Sequence, residues 1–72
     1  MTLFEVKEGD TVRIVAIHGG LGVRNRLSSI GLFPGAVVKV VKAPSGPVIV
    51  EVVGSRIAIG QGMAKKVEVE RI

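Results

Sequence analysis

LSSIGLFPG, residues 27 to 35, joins a helix end to a tight turn inside a chain that otherwise reads as strands. Leu27 and Ile30 lie three apart and share a helix face, and Gly31 stands where a left-handed residue would stop the helix. Leu32 falls just past that cap, where an apolar side chain packs back on the last turn. Pro34 and Gly35 then supply turn chemistry that cannot continue a helix, so a strand starts at once.

Working outward, residues 10–17 (DTVRIVAI) put Val12, Ile14 and Ala16 on one face and Thr11, Arg13, Val15 and Ile17 on the other, the period-2 pattern of a strand. Leu3, Phe4 and Val6 are too apolar for a free tail and are expected to lie against the domain. Residues 21–30 carry helical spacing, with Val23, Leu27 and Ile30 on one face. At about ten residues such a helix is marginal alone in water, so packing of that face must hold it.

Residues 36–43 (AVVKVVKA) form a second strand, Pro44 to Pro47 a turn, and residues 48–53 a third strand in a hairpin. Gly54 and Ser55 turn the chain into a short strand at 56–59. Residues 60–64 make a loop or one helical turn, and 66–71 (KVEVER) close as a fifth strand with Val67 and Val69 inward. Five short antiparallel strands with one helical insertion predict an all-β domain, a small partly open barrel spanning residues 1–72.

The 72 residues are 47% apolar and contain no cysteine, which excludes a disulfide framework and thiolate metal sites. No run approaches the roughly 18 apolar residues of a membrane span. Residues 1–5 hold no basic segment leading into an apolar one, so no signal peptide is expected and the chain is read as cytoplasmic.

A net charge of +4 raises the question of nucleic acid, but the ten Lys and Arg are scattered, and only Phe4 and Phe33 could stack on bases. Catalysis needs converging groups; His18, Asp10 and the serines at 28, 29, 45 and 55 have no spacing that gathers them, so no enzyme is expected. Gly19, Gly20 and Gly22 lack the Gly-Lys-Ser/Thr ending of a phosphate loop. His18 with Glu5, Glu8 or Asp10 makes at best a weak, open divalent site, and no cofactor is expected.

The apolar residues outside the expected core are more informative. Val15, Ile17, Ile49 and Val53 fall on outward faces, and Leu21, Leu32 and Phe33 sit beside turns. Part of this set is expected to form a second minicore under the helix; whatever stays exposed marks a protein contact.

In this order the chain resembles the FeoA family, small cytoplasmic proteins associated with ferrous iron transport. Gly9 and Asp10 before the first strand, Gly19 and Gly20 before the helix, Leu27, Gly31, Leu32, Pro34 and Gly35 at the elbow, and Ile57 to Ile59 carry the likeness. The resemblance implies an SH3-like barrel with a helical insertion. It also implies a non-enzymatic accessory or regulator of the membrane transporter FeoB, peripheral to the membrane through that partner. Similar domains in iron- or manganese-dependent repressors bind protein segments.

The expected contact patch is Leu21, Arg24, Arg26 and Phe33, docking on the cytoplasmic region of FeoB. The alternative is an SH3-like module binding RNA or a ribonucleoprotein. Metal sensing at His18 is a third reading, and exposed strand edges leave room for a homo-oligomer.

Overall fold

The computed structural model describes residues 1–42 and 46–72. Five strands and two helices follow in the order β1 (Thr11–Ile17), α1 (Leu21–Ser29), β2 (Val37–Lys42), β3 (Val48–Val52), β4 (Ser55–Ile59), α2 (Gln61–Ala64) and β5 (Val67–Arg71). All pairings are antiparallel, in one sheet of order β4-β3-β2-β1-β5. The end strands β4 and β5 do not pair with each other, so the curled sheet stays partly open. Of the expected turn at 44–47 and the expected strand end at Ala43, residues 43–45 lie outside the described residues.

The core follows the alternation of the strands. Val12 and Ile14 of β1, Val38 and Val40 of β2, Val48 and Val50 of β3, and Val67 and Val69 of β5 are all buried. Each fully buried Val, Leu or Ile is worth about 1.5–3 kcal/mol of apolar transfer. No polar or charged residue among those described is buried.

Leu3 and Val6 fold over one end as expected, but Phe4 does not: it is exposed, with the Lys65 ammonium 4.7 Å from its ring centroid. The first residues instead protect the outer edge of β5. The Leu3 amide donates to the Val67 carbonyl at 2.9 Å and the Val69 amide to the Met1 carbonyl at 2.7 Å. Among the strands this leaves β4 as the uncovered edge, carrying the charged Arg56 that discourages strand addition.

Three side chains depart from the simple alternation, and one of them, Ala16, expected inward beside Val12 and Ile14, is only partly buried. Ile17 is buried, not outward, because the β1–β5 register shifts between Ile14 and Ala16. The extra residue of this bulge is Val15, after which Ile17 pairs with Val67 on the core side. Val53, expected at the end of β3, lies in the turn: Val52 pairs with Ser55, and Val53 (φ +47°) and Gly54 (φ +81°) form the two-residue loop. Positive φ at both loop residues is the signature of the hairpin turn whose twist matches the strands.

Candidate protein-docking cleft

The chain leaves β1 at Ile17, makes α1, and returns to β1 through the elbow, so the helical excursion is stitched to the sheet at both ends. At its outgoing end the His18 amide donates to the Lys66 carbonyl at 2.7 Å. At its return, the Leu32 amide donates to the Leu27 carbonyl at 2.9 Å and the Gly31 amide to the Ser28 carbonyl at 3.0 Å. With Gly31 at φ +91°, this is a complete Schellman cap.

Leu27 and Leu32, the residues this motif brings together, are both buried. Phe33 to Ala36 then forms a tight turn with Gly35 at φ +96°, closed by the Ala36 amide on the Phe33 carbonyl at 3.0 Å. Gly35 and Ala36 reach back to Ile14, whose carbonyl and amide they bond at 2.8 Å each.

Only part of the expected helix face is buried. Leu27 is in the core and Val23 packs against it, but Ile30 caps the helix and remains 42% exposed. The helix is thus held chiefly by Leu27, Val23 and the elbow.

Between α1, the outer side of β1 and the elbow lies a cleft of about 430 Å³. Val15, Ala16 and Ile17 of β1, Leu21, Arg24, Asn25 and Ser28 of α1, and Phe33 and Pro34 of the elbow line it. Leu21 is 72% exposed, Phe33 46% and Val15 44%. Val15 is the unpaired residue of the β1 bulge and is exposed like Thr11 and Arg13, as the alternation of β1 predicts.

The structure thus brings together three of the four expected contact residues, Leu21, Arg24 and Phe33. It puts Arg26 elsewhere. Positions two apart on a helix differ by about 200° around its axis, and Arg26 lines a smaller recess of about 130 Å³ with Ile30, Ala58 and Met63. Sequence reasoning did not pick out Pro34, Asn25 and Ser28; the separation of Arg24 from Arg26 was readable from helical spacing alone.

Charge is distributed unevenly. Arg13 meets Glu70 at 2.9 Å, Arg71 meets Asp10 at 3.3 Å, and Arg56 lies 3.8 Å from Glu51. Among the described residues no carboxylate faces Arg24 or Arg26, α1 contains no acid, and none lines the cleft. Arg26, in the last turn, complements the negative end of the helix dipole. Arg24, in mid-helix, has no such role.

His18 does not meet Glu5, Glu8 or Asp10, the partners expected for a weak metal site. Its Nε2 lies 2.9 Å from Glu68 Oε1, fifty residues away in sequence. That hydrogen bond, the largest influence on Glu68, holds its carboxyl below the ordinary glutamate value. Glu5 accepts the Thr2 amide at 2.8 Å and Asp10 the Lys7 amide at 3.1 Å, and no described group of three His, Asp or Glu converges as a metal site would require.

Comparison with known proteins agrees with this architecture. The FeoA domain family matches residues 1–71. A Methanocaldococcus jannaschii protein named putative Fe(2+) transport protein A is 45% identical over 64 residues, 89% of this chain and 78% of that protein. The crystal structure of an iron uptake regulatory protein, FeoA, superposes with a TM-score of 0.91 at 42% identity, covering 99% of this chain and 95% of that one.

Stenotrophomonas maltophilia FeoA, crystallised with zinc, is 29% identical with a TM-score of 0.82, covering 97% of this chain and 89% of that one. It is described as a procaryotic SH3 domain protein and a candidate ferrous iron transport activating factor. The open five-stranded barrel with its helical excursion is accordingly SH3-like, and the chain belongs to the FeoA family.

Proposed function

We propose that this chain is a cytoplasmic, non-enzymatic accessory protein of ferrous iron transport, acting by contact with the cytoplasmic region of the membrane transporter FeoB. Relatives named for Fe(2+) transport and for activating it support the process. The observation that carries the mode of action is the cleft itself: Leu21, Val15 and Phe33 stay exposed beside Arg24, an arginine with no carboxylate facing it among the described residues. An apolar concavity with one uncompensated charge is built to be covered by protein.

The RNA alternative has weaker support, because the two aromatic rings are not arranged as a stacking platform. Phe4 lies beneath Lys65 and Phe33 lines the cleft.

Recovery of FeoB from membranes by the tagged chain tests the proposal. Wild type should retain FeoB after nuclease treatment, and the Arg24→Glu, Arg26→Glu variant should lose most of it, with the difference shrinking as salt shortens the Debye length below about 8–10 Å. Equal recovery by both at low salt removes the helix surface as the contact.

A further inference from the structure

We propose that the cleft reads a short linear peptide of defined chemistry: one large apolar side chain seated between Leu21, Val15 and Phe33, and a carboxylate one or two residues away that meets Arg24. This deepens the reading of the cleft as a protein-docking surface and rests on it.

The apolar half of the motif follows from the walls. Three large apolar side chains converge while remaining 44–72% exposed, although the same chain buries every other large apolar side chain of β1. A cleft of about 430 Å³ falls in the range of sites that enclose small ligands. It has room for about one or two side chains of a short segment.

The acidic half follows from the charge distribution. The protein carries ten Lys and Arg against six Asp and Glu. It places Glu70, Asp10 and Glu51 against Arg13, Arg71 and Arg56, and Glu68 against His18, none of them on α1. The cleft is left with one guanidinium and no carboxylate among its lining residues. A basic peptide would be repelled there, a neutral one would leave Arg24 unanswered, and an acidic one is matched.

Spacing sets the register. Arg24 is three residues beyond Leu21, about 4.5 Å along the helix axis, and an extended peptide advances about 3.3 Å per residue. The carboxylate thus belongs one or two residues from the apolar anchor. Arg26, on the opposite flank of α1, takes no part.

The test uses the full chain and four fluorescent probes: a leucine-centred peptide flanked by glutamates, its lysine counterpart, the glutamate peptide with alanine for leucine, and an oligouridylate. Reversing one exposed charge pair from attraction to repulsion changes affinity by about tenfold. Fluorescence anisotropy should find the glutamate–leucine peptide binding about tenfold tighter than the lysine or alanine forms. Amide shifts should move at Val15, Leu21, Arg24 and Phe33. Arg24→Glu should invert the glutamate–lysine preference, and Arg26→Glu should leave it unchanged.

Equal binding of acidic and basic peptides, an equal effect of Arg26→Glu, no peptide binding at millimolar concentration, or oligouridylate displacing the peptide would each overturn the inference. The transporter assay fails separately. FeoB recovered while the peptides bind without selectivity sinks the peptide motif but keeps the accessory function, whereas selective peptide binding without FeoB recovery does the reverse.

Discussion

The amide of Leu32 donates to the carbonyl of Leu27 across 2.9 Å, so the residue after the glycine cap is tied to the last turn of α1 before the chain turns back to β1. That bond requires Gly31 at φ +91°, and a Cβ there would also meet Val52 Cγ1 at 3.3 Å. Gly35 has a similar φ of +96°, but a Cβ on it would meet nothing within 4 Å. Gly31→Ala should therefore cost about 1–2 kcal/mol and Gly35→Ala about 1 kcal/mol. Urea denaturation of the two variants checks the order; equal midpoints would mean that Val52 yields without cost.

Leu32 and Phe33 are adjacent in sequence and should separate stability from binding. Leu32 is fully buried, so Leu32→Ala should lose about 2–5 kcal/mol. Phe33 is half exposed and lines the cleft, so Phe33→Ala should cost under about 1 kcal/mol while abolishing selective peptide binding. Thermal denaturation and anisotropy on the same two proteins measure both effects.

Val53 is a β-branched residue at φ +47° and is 98% exposed, so neither its backbone nor its side chain gains from its position. Val53→Asn, a residue at home in this turn, should raise stability by about 1 kcal/mol. A lowered urea midpoint in that variant would show that the β3–β4 turn does not need the left-handed conformation.

Most of the fold was legible because period-2 alternation and the elbow are local signals. Val12, Ile14, Val48, Val50, Val67 and Val69 are buried as their spacing predicts. Three of the departures share one physical character: each depends on a partner distant in sequence or on strand register. Ile17 turns inward because β5 imposes a bulge on β1, and His18 finds Glu68 because β1 and β5 are neighbours. Val53 enters the turn because Val52 registers with Ser55. The site was partly legible: Leu21, Arg24 and Phe33 converge and Val15 faces outward as its spacing predicts, whereas Arg26 lies elsewhere and Pro34, Asn25 and Ser28 join the cleft with no signal in the local pattern.

The His18–Glu68 pair ties the start of the helical excursion to β5 and makes acid sensitivity measurable at one carboxyl. Glu68 titrates below the ordinary glutamate value chiefly because it accepts a hydrogen bond from His18. A carboxyl depressed in the folded state stabilises the fold above its unfolded value, about 4.3, and that contribution is lost as pH falls through the lower folded value. His18→Ala should return Glu68 toward the ordinary range and flatten the fall of stability with pH below about 4.3. Side-chain carboxyl titration by NMR reads the first effect and urea midpoints across the acid range read the second. A Glu68 titration unmoved by His18→Ala would assign its low value to the nearby N-terminal charge instead, the weakest of the favourable influences on it.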